Sequence, residues 1–255
     1  MNRRSRQHGF SLTETLIAVG TLAIGLLFIA GTFMTGIYFS SVSTERTIAA
    51  GAADEAFAKV QLYGLDPNNA NLKTDGFTPY EQLASTPIVI DEFLYPSTRD
   101  GTERQYSWTA LCRKMPANGR LIQCVVFISR RTAQASYWTR DSGTALATSD
   151  RPHPVRVNIV RGIGLLDPNE VSLRDAAAGD TTDELAFVTD GSIIVDDGTG
   201  RIYHVRERYT NPPDRIKLDQ PWSAPGADGW VWVVPPAVSG GRNPLIAVYQ
   251  KVLEF

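Results

Sequence analysis

The chain has 255 residues, with 25 Lys+Arg against 27 Asp+Glu and a formal net charge of −2. That balance argues against non-specific nucleic-acid binding, which depends on neutralising phosphates, and two cysteines cannot build a four-thiolate zinc site. The length suits one membrane helix followed by a soluble domain of roughly 190 residues.

Residues 1–9 read MNRRSRQHG, a short leader carrying Arg3, Arg4 and Arg6. From Phe10 to Phe39 follows FSLTETLIAVGTLAIGLLFIAGTFMTGIYF, with no charge between Thr15 and Phe39. A helix needs about 20 apolar residues to cross a bilayer, so this stretch predicts a span. An ordinary secretory signal fits poorly, because its apolar run is about 7–15 residues with a small-residue cleavage site at the far end. The basic leader predicts a cytoplasmic amino terminus, with the rest of the chain across the membrane. Glu14 is the one charge inside the apolar stretch. An unpaired carboxylate in hydrocarbon costs on the order of several kcal/mol unless it is neutralised or partnered, so Glu14 needs an explanation.

Gly9 followed by Phe10-Ser11-Leu12-Thr13-Glu14 resembles the prepilin motif of type IV pilins and type II secretion pseudopilins. The resemblance is close from Met1 to about Phe39 and extends further only as layout. It implies cleavage after Gly9 by a membrane prepilin peptidase, which also N-methylates the new terminus at Phe10. It also implies that Glu14 pairs with the α-amino group of a neighbouring subunit, relieving the burial penalty and fixing axial register. Loss of Arg3, Arg4 and Arg6 would leave 22 basic against 27 acidic residues, a balance near −5.

Gly20, Gly25, Gly31 and Gly36 lie in the apolar stretch, where glycine either lets helices approach closely or is simply tolerated. Gly31 stands where many pilins carry a proline. Beyond Ser40 the helix continues with Ala49, Ala53, Phe57 and Val60 at helical spacing, and with Glu45, Arg46, Asp54 and Glu55 for the wet side. Gly64 is a natural C-cap and Pro67 follows, so the helix is predicted over about Leu12 to Tyr63. The organisation read from the sequence is a leader at 1–9, a membrane and filament-core helix at 10–39, an amphipathic half at 40–64 and a β-rich head at 65–255.

Residues 65–104 are rich in turn signals around a short expected strand, Pro87 to Asp91. A hairpin follows in YSWTALCRKM-PANG-RLIQCVVFISR. A turn at Ala117-Asn118-Gly119 pairs Pro116 with Arg120 and thereby sets Cys112 opposite Cys124. In an oxidising compartment the expected outcome is a disulfide, with two buried free thiols as the alternative. Thr132 to Pro154 reads as a loop. Strands are expected at Val155 to Val160, in ELAFVTD, in GSIIVDD and RIYHVRERY around Asp197-Gly198-Thr199-Gly200, in GWVWVVP and in the terminal LIAVYQKVLEF. In one of these, Ile202, His204, Arg206 and Arg208 face one way while Tyr203, Val205, Glu207 and Tyr209 face the other.

The expected class is α+β: a long amino-terminal helix packed on a meandering antiparallel β-sheet, a pilin-like lollipop. Trp222, Trp230 and Trp232 read as packing residues rather than a ligand platform. No catalytic constellation is visible. His153 lies in a proline-flanked loop and His204 in a strand, neither beside an obvious nucleophile, and there is no G-x-S-x-G elbow or phosphate-binding glycine loop. Asp180, Asp183 and Glu184, and separately Asp190, Asp196 and Asp197, are weak calcium candidates that match no calcium loop. No cofactor is otherwise implied.

The expected function is that of a structural subunit, a minor pseudopilin or related filament protein of a bacterial inner membrane. Its implied partners are sibling pilin or pseudopilin subunits, prepilin peptidase, the inner-membrane assembly platform and membrane lipid, without nucleic acid. Two alternatives stand beside it: a minor type IV pilin for adhesion or DNA uptake, and a membrane-anchored enzyme.

Overall fold

A computed structural model describes residues 11–98, 104–116, 119–132, 135–140, 146–160, 167–175, 183–222 and 228–255. The chain divides into two compact units, Met1–Thr47 and Ile48–Phe255. One helix, α1 (Leu12–Tyr63), runs through 52 residues without a proline. Ser11 caps it: its hydroxyl accepts the Thr13 N–H at 3.2 Å and its carbonyl accepts from Glu14 and Thr15. At the other end Gly64 has φ +72°, a left-handed turn that glycine adopts freely. The Tyr80 hydroxyl lies 3.2 Å from the carbonyls of both Val60 and Gly64, which also accept the N–H groups of Gly64 and Ser85. The predicted helix limits agree with these.

In the second unit, Ala49, Ala52, Ala53, Ala56, Phe57 and Val60 of α1 are buried against a five-stranded antiparallel sheet. Its centre is the hairpin of β3 (Tyr106–Lys114) and β4 (Leu121–Arg130). The two-residue strands β1 (Thr78–Pro79) and β2 (Leu94–Tyr95) line the outer edge of β3. The last strand of the chain, β13 (Leu245–Glu254), lines β4. Small alanines let the helix backbone lie close, while Ala110, Cys112, Cys124, Val126 and Ile128 form the floor. The hairpin register is the predicted one, with Cys112 opposite Cys124. Residues 117 and 118 of its turn lie outside the described residues.

The later strands depart from expectation. Instead of one meandering sheet, six of them close into an antiparallel barrel: β7 (Val155–Val160), β8 (Glu170–Arg174), β9 (Ile193–Asp196), β10 (Ile202–Arg208), β11 (Arg215–Leu218) and β12 (Asp228–Val233). Around the barrel the order is β10-β11-β8-β7-β12-β9. Val157, Ile159, Val171, Tyr203, Ile216 and Val231 are among the buried residues of its interior. The buried stripe of α1 from Ala49 to Val60 is about 18 Å long at the helical rise, too short to cover so many strands. Closure lets the remaining strands bury their apolar faces on one another. The expected two-sided alternation of β10 holds at Tyr203 and Val205, and a register shift between Val205 and Glu207 ends it.

Three local expectations are also corrected. Residues 87–91 form no strand, and a 3₁₀ helix occupies Ile90–Phe93. ELAFVTD begins as a 3₁₀ helix, Glu184–Phe187, because the Asp183 carboxylate caps it by accepting the Leu185 N–H at 3.0 Å. The segment from Thr132 to Pro154 contains a small hairpin, β5 (Tyr137–Arg140) with β6 (Leu146–Ser149).

Sheet and barrel are joined through the turn between β9 and β10. Asp197, 6 % exposed, accepts the Phe77 N–H at 2.8 Å and the Trp232 indole N–H at 2.6 Å, and pairs with Arg156 at 2.9 Å. From the sheet, Arg113 donates to the carbonyls of Gly198 and Thr199 and to the Gln123 side chain. Leaving a buried donor without its partner costs about 1–3 kcal/mol, whereas the Arg156 side chain is 37 % exposed and keeps its access to water. Asp197→Ala, which strands the Phe77 and Trp232 N–H donors, is therefore expected to lower the unfolding free energy by about 2 kcal/mol or more, read from urea denaturation. A loss below about 1 kcal/mol would place this joint among ordinary surface pairs.

Candidate functional site

The first half of α1 is the most unusual surface of the described chain. Between Leu12 and Phe39, fifteen large apolar side chains are each at least 57 % exposed. At about 1.5–3 kcal/mol for each such side chain removed from water, on the order of 20 kcal/mol or more of burial is unrealised. The helix is long and apolar enough to cross a membrane. Its polar groups are arranged to suit that medium. Thr15, Thr21, Thr32, Thr35, Thr44 and Thr47 each turn the hydroxyl back onto a carbonyl three or four residues earlier, at 2.8–3.1 Å. Every one of those donors is thus satisfied within the helix itself. Phe33, Tyr38 and Phe39 lie toward the end of the apolar stretch, where aromatic rings suit a membrane interface.

Glu14 sits in the first turn, three residues after the Ser11 cap. In that position a carboxylate gains about 0.3–1 kcal/mol from the helix dipole. Transfer of an unpaired carboxylate into hydrocarbon costs several kcal/mol or more. Capping therefore leaves most of the cost of Glu14 unexplained. Gly9 and Phe10, the two other residues singled out from the motif, lie outside the described residues.

Among the described residues, the acids considered for calcium form no metal-binding group. Asp180 lies outside the described residues, and Asp183 caps the 3₁₀ helix at Glu184–Phe187. Glu184 is buried within that helix. Asp190 accepts the Arg208 N–H at 2.5 Å. Asp196 folds onto its own turn, accepting from the N–H groups of Gly198 and Thr199 and from the Thr199 hydroxyl, and Asp197 is held in the joint. Among the described residues, no group of three or more His, Cys, Asp and Glu side chains could hold a metal ion. Trp222 and Trp232 are buried, and Trp230 is half-buried beneath the Arg156 guanidinium at 4.6 Å. The thiols of Cys112 and Cys124 are both fully buried, with their sulfurs 2.8 Å apart.

One constellation escaped the sequence reading. The Ser149 hydroxyl lies 3.2 Å from His153 Nε2, in a four-residue spacing that carries no motif. His153 borders a cavity of about 180 Å³ together with Glu81, Thr109, Thr139 and Arg151. Arg151 is fully engaged there: it pairs with Glu81 at 2.6 Å, donates to the Trp108 carbonyl at 3.2 Å and stacks 4.2 Å over Phe93. A serine beside a histidine has the reach of a nucleophile and its base. Burial, then the Arg151 charge, hold the imidazole neutral down to about 3, against the opposing pull of Asp150. Such a weak base suits structure better than proton abstraction near neutral pH.

No protein family, curated protein or solved structure matches the chain.

His153 carries an acid-sensitivity prediction. Its folded pKa is depressed to about 3 from an ordinary 6.5, so the unfolded chain binds the proton first. Its stabilising share is complete above pH 6.5 and is lost as pH falls toward 3, by at most about 1.4 kcal/mol per pH unit. His153→Gln should therefore show a shallower fall of unfolding free energy than the parent between those pH values. Identical slopes in the two proteins would remove His153 from the acid response.

Proposed function

We propose that the chain is a pilin-type filament subunit: a minor pseudopilin of a type II secretion pseudopilus or of a related type IV filament. The carrying observation is Glu14, a carboxylate in the first turn of a helix whose first half exposes its apolar side chains, shortly after the Gly9-Phe10 sequence. A membrane alone explains the apolar surface and leaves the acid unpaid for. A bundle of such helices explains both, since each helix buries its side chains on its neighbours and each Glu14 meets a neighbour's amino terminus.

In this reading prepilin peptidase cleaves after Gly9 and methylates the amine of Phe10. The processed subunit waits in the bacterial inner membrane with its head in the periplasm, an orientation supported by Arg3, Arg4 and Arg6 in the leader. The assembly platform then transfers the helix from lipid into the filament. The subunit acts by noncovalent assembly, not by turnover. A helix half packed on an antiparallel sheet supports the pilin layout, and the additional barrel supports a low-copy subunit with an elaborated head over a repeating major one.

Two substitutions separate the roles within the motif. Gly9→Ala is expected to leave a full-length, membrane-inserted chain, and normal maturation of that variant would sink the cleavage assignment. Glu14→Val is expected to be processed and inserted like the parent, yet to lose crosslinks to sibling subunits by tenfold or more, the order expected for about 1.4 kcal/mol or more of lost pairing. Undiminished crosslinking would show that the carboxylate does not hold the neighbour.

A further inference from the structure

We propose that Cys112 and Cys124 are joined as a disulfide in the native protein, and that the bond forms before residues 48–63 of α1 close over β3 and β4. The pairing geometry is the first support. Met115 N–H donates to the Leu121 carbonyl at 2.9 Å, which makes 115 and 121 a hydrogen-bonded pair. Such pairs alternate along an antiparallel ladder, so Cys112 and Cys124, three positions on, form a non-hydrogen-bonded pair. At such positions the Cα atoms stand about 4.5 Å apart and the side chains lie close together on one face, within the Cα separation of about 4.4–6.8 Å that a disulfide needs.

Burial gives the order of events. Both sulfurs are 0 % exposed, beneath the alanine stripe of α1 and beside Tyr80 and Trp108. Tyr80 in turn closes the end of the helix over this floor. Burial, and then the neighbouring Cys124, push the Cys112 thiol well above its ordinary range, which suppresses the thiolate needed for exchange. An oxidant therefore reaches the pair only while the hairpin is formed and the helix is not yet docked. The oxidant is a dithiol–disulfide carrier of the compartment. One cysteine thiolate attacks the carrier's disulfide to give a mixed disulfide, and the second cysteine thiolate then displaces the carrier. The carrier leaves as its dithiol with the two electrons, and the two cysteine protons balance its two thiols. The product pins the β3–β4 register at a pair where a one-residue slip would turn the helix-facing side chains toward the barrel.

This inference rests on the proposed periplasmic location of the head, and the test keeps the two apart. Full-length protein in its native membranes is acid-quenched, denatured and treated with N-ethylmaleimide before and after reduction, with intact mass as the readout. On the same membranes, proteolysis from the periplasmic side reports where the head lies. The expected result is no maleimide adduct before reduction and two after it, with a protease-accessible head. Two adducts before reduction overturn the disulfide. If the head is then accessible the chemistry has failed on its own, and if it is protected the location has failed with it. A third arm adds dithiothreitol to undenatured membranes. Persistence of the bond for hours, against reduction within minutes in urea, is expected, and equally fast reduction in both would overturn the buried, early-formed bond.

Discussion

The central constraint lies at the start of α1, where an acidic side chain heads a helix long and apolar enough to cross a membrane. The apolar surface from Leu12 to Phe39 suits a medium of lipid or of like helices. Glu14 narrows that choice. The helix dipole offsets about 0.3–1 kcal/mol, whereas the cost in hydrocarbon is several kcal/mol or more. Neutralisation or a positive partner in the same environment would remove that cost, and the proposed account assigns the partner. Assembly with neighbours is the solution proposed here, because one contact would supply burial, charge pairing and register.

The same helix changes its task without a break in its backbone. Large side chains around the whole circumference give way to a narrow stripe of alanines, and exposure gives way to a floor of sheet residues. That stripe accounts for one layer of the second unit only. The remaining strands solve their burial by closing into a barrel, which is then fixed to the sheet through Asp197 and Arg113 instead of through the helix. The head is thus two cores sharing a polar joint, with the small cluster of Phe77, Leu111, Phe127, Val195 and Trp232 between them.

Much of this was legible in the sequence where a signal was local and doubled. The carboxyl-terminal limit of the helix carried Gly64 with Pro67 beyond it, and the predicted limits agree with the structure. The hairpin register carried a turn residue and a constant pairing sum, and Cys112 meets Cys124. The barrel was not legible, because alternation in β7 or β12 states that one face is buried without stating against what. Its closure depends on β8 and β11, short strands of five and four residues that lack a long apolar run. The segments misread as strands, at residues 87–91 and in ELAFVTD, are apolar enough for a sheet but are turned by local bonds, such as that of the Asp183 carboxylate to the Leu185 N–H. The Ser149–His153 contact and the Arg151 clasp rest on residues that carry no motif, and only folding assembles them.

The central claim is that Gly9, Phe10 and Glu14 act together as a maturation and assembly signal. The most direct test is the intact and amino-terminal mass of the protein isolated from its native membrane. The account predicts a mature chain beginning at N-methylated Phe10. A chain that still begins at Met1 would contradict it, reduce α1 to a simple membrane anchor and send the search for function to the Arg151–His153 cavity of the head.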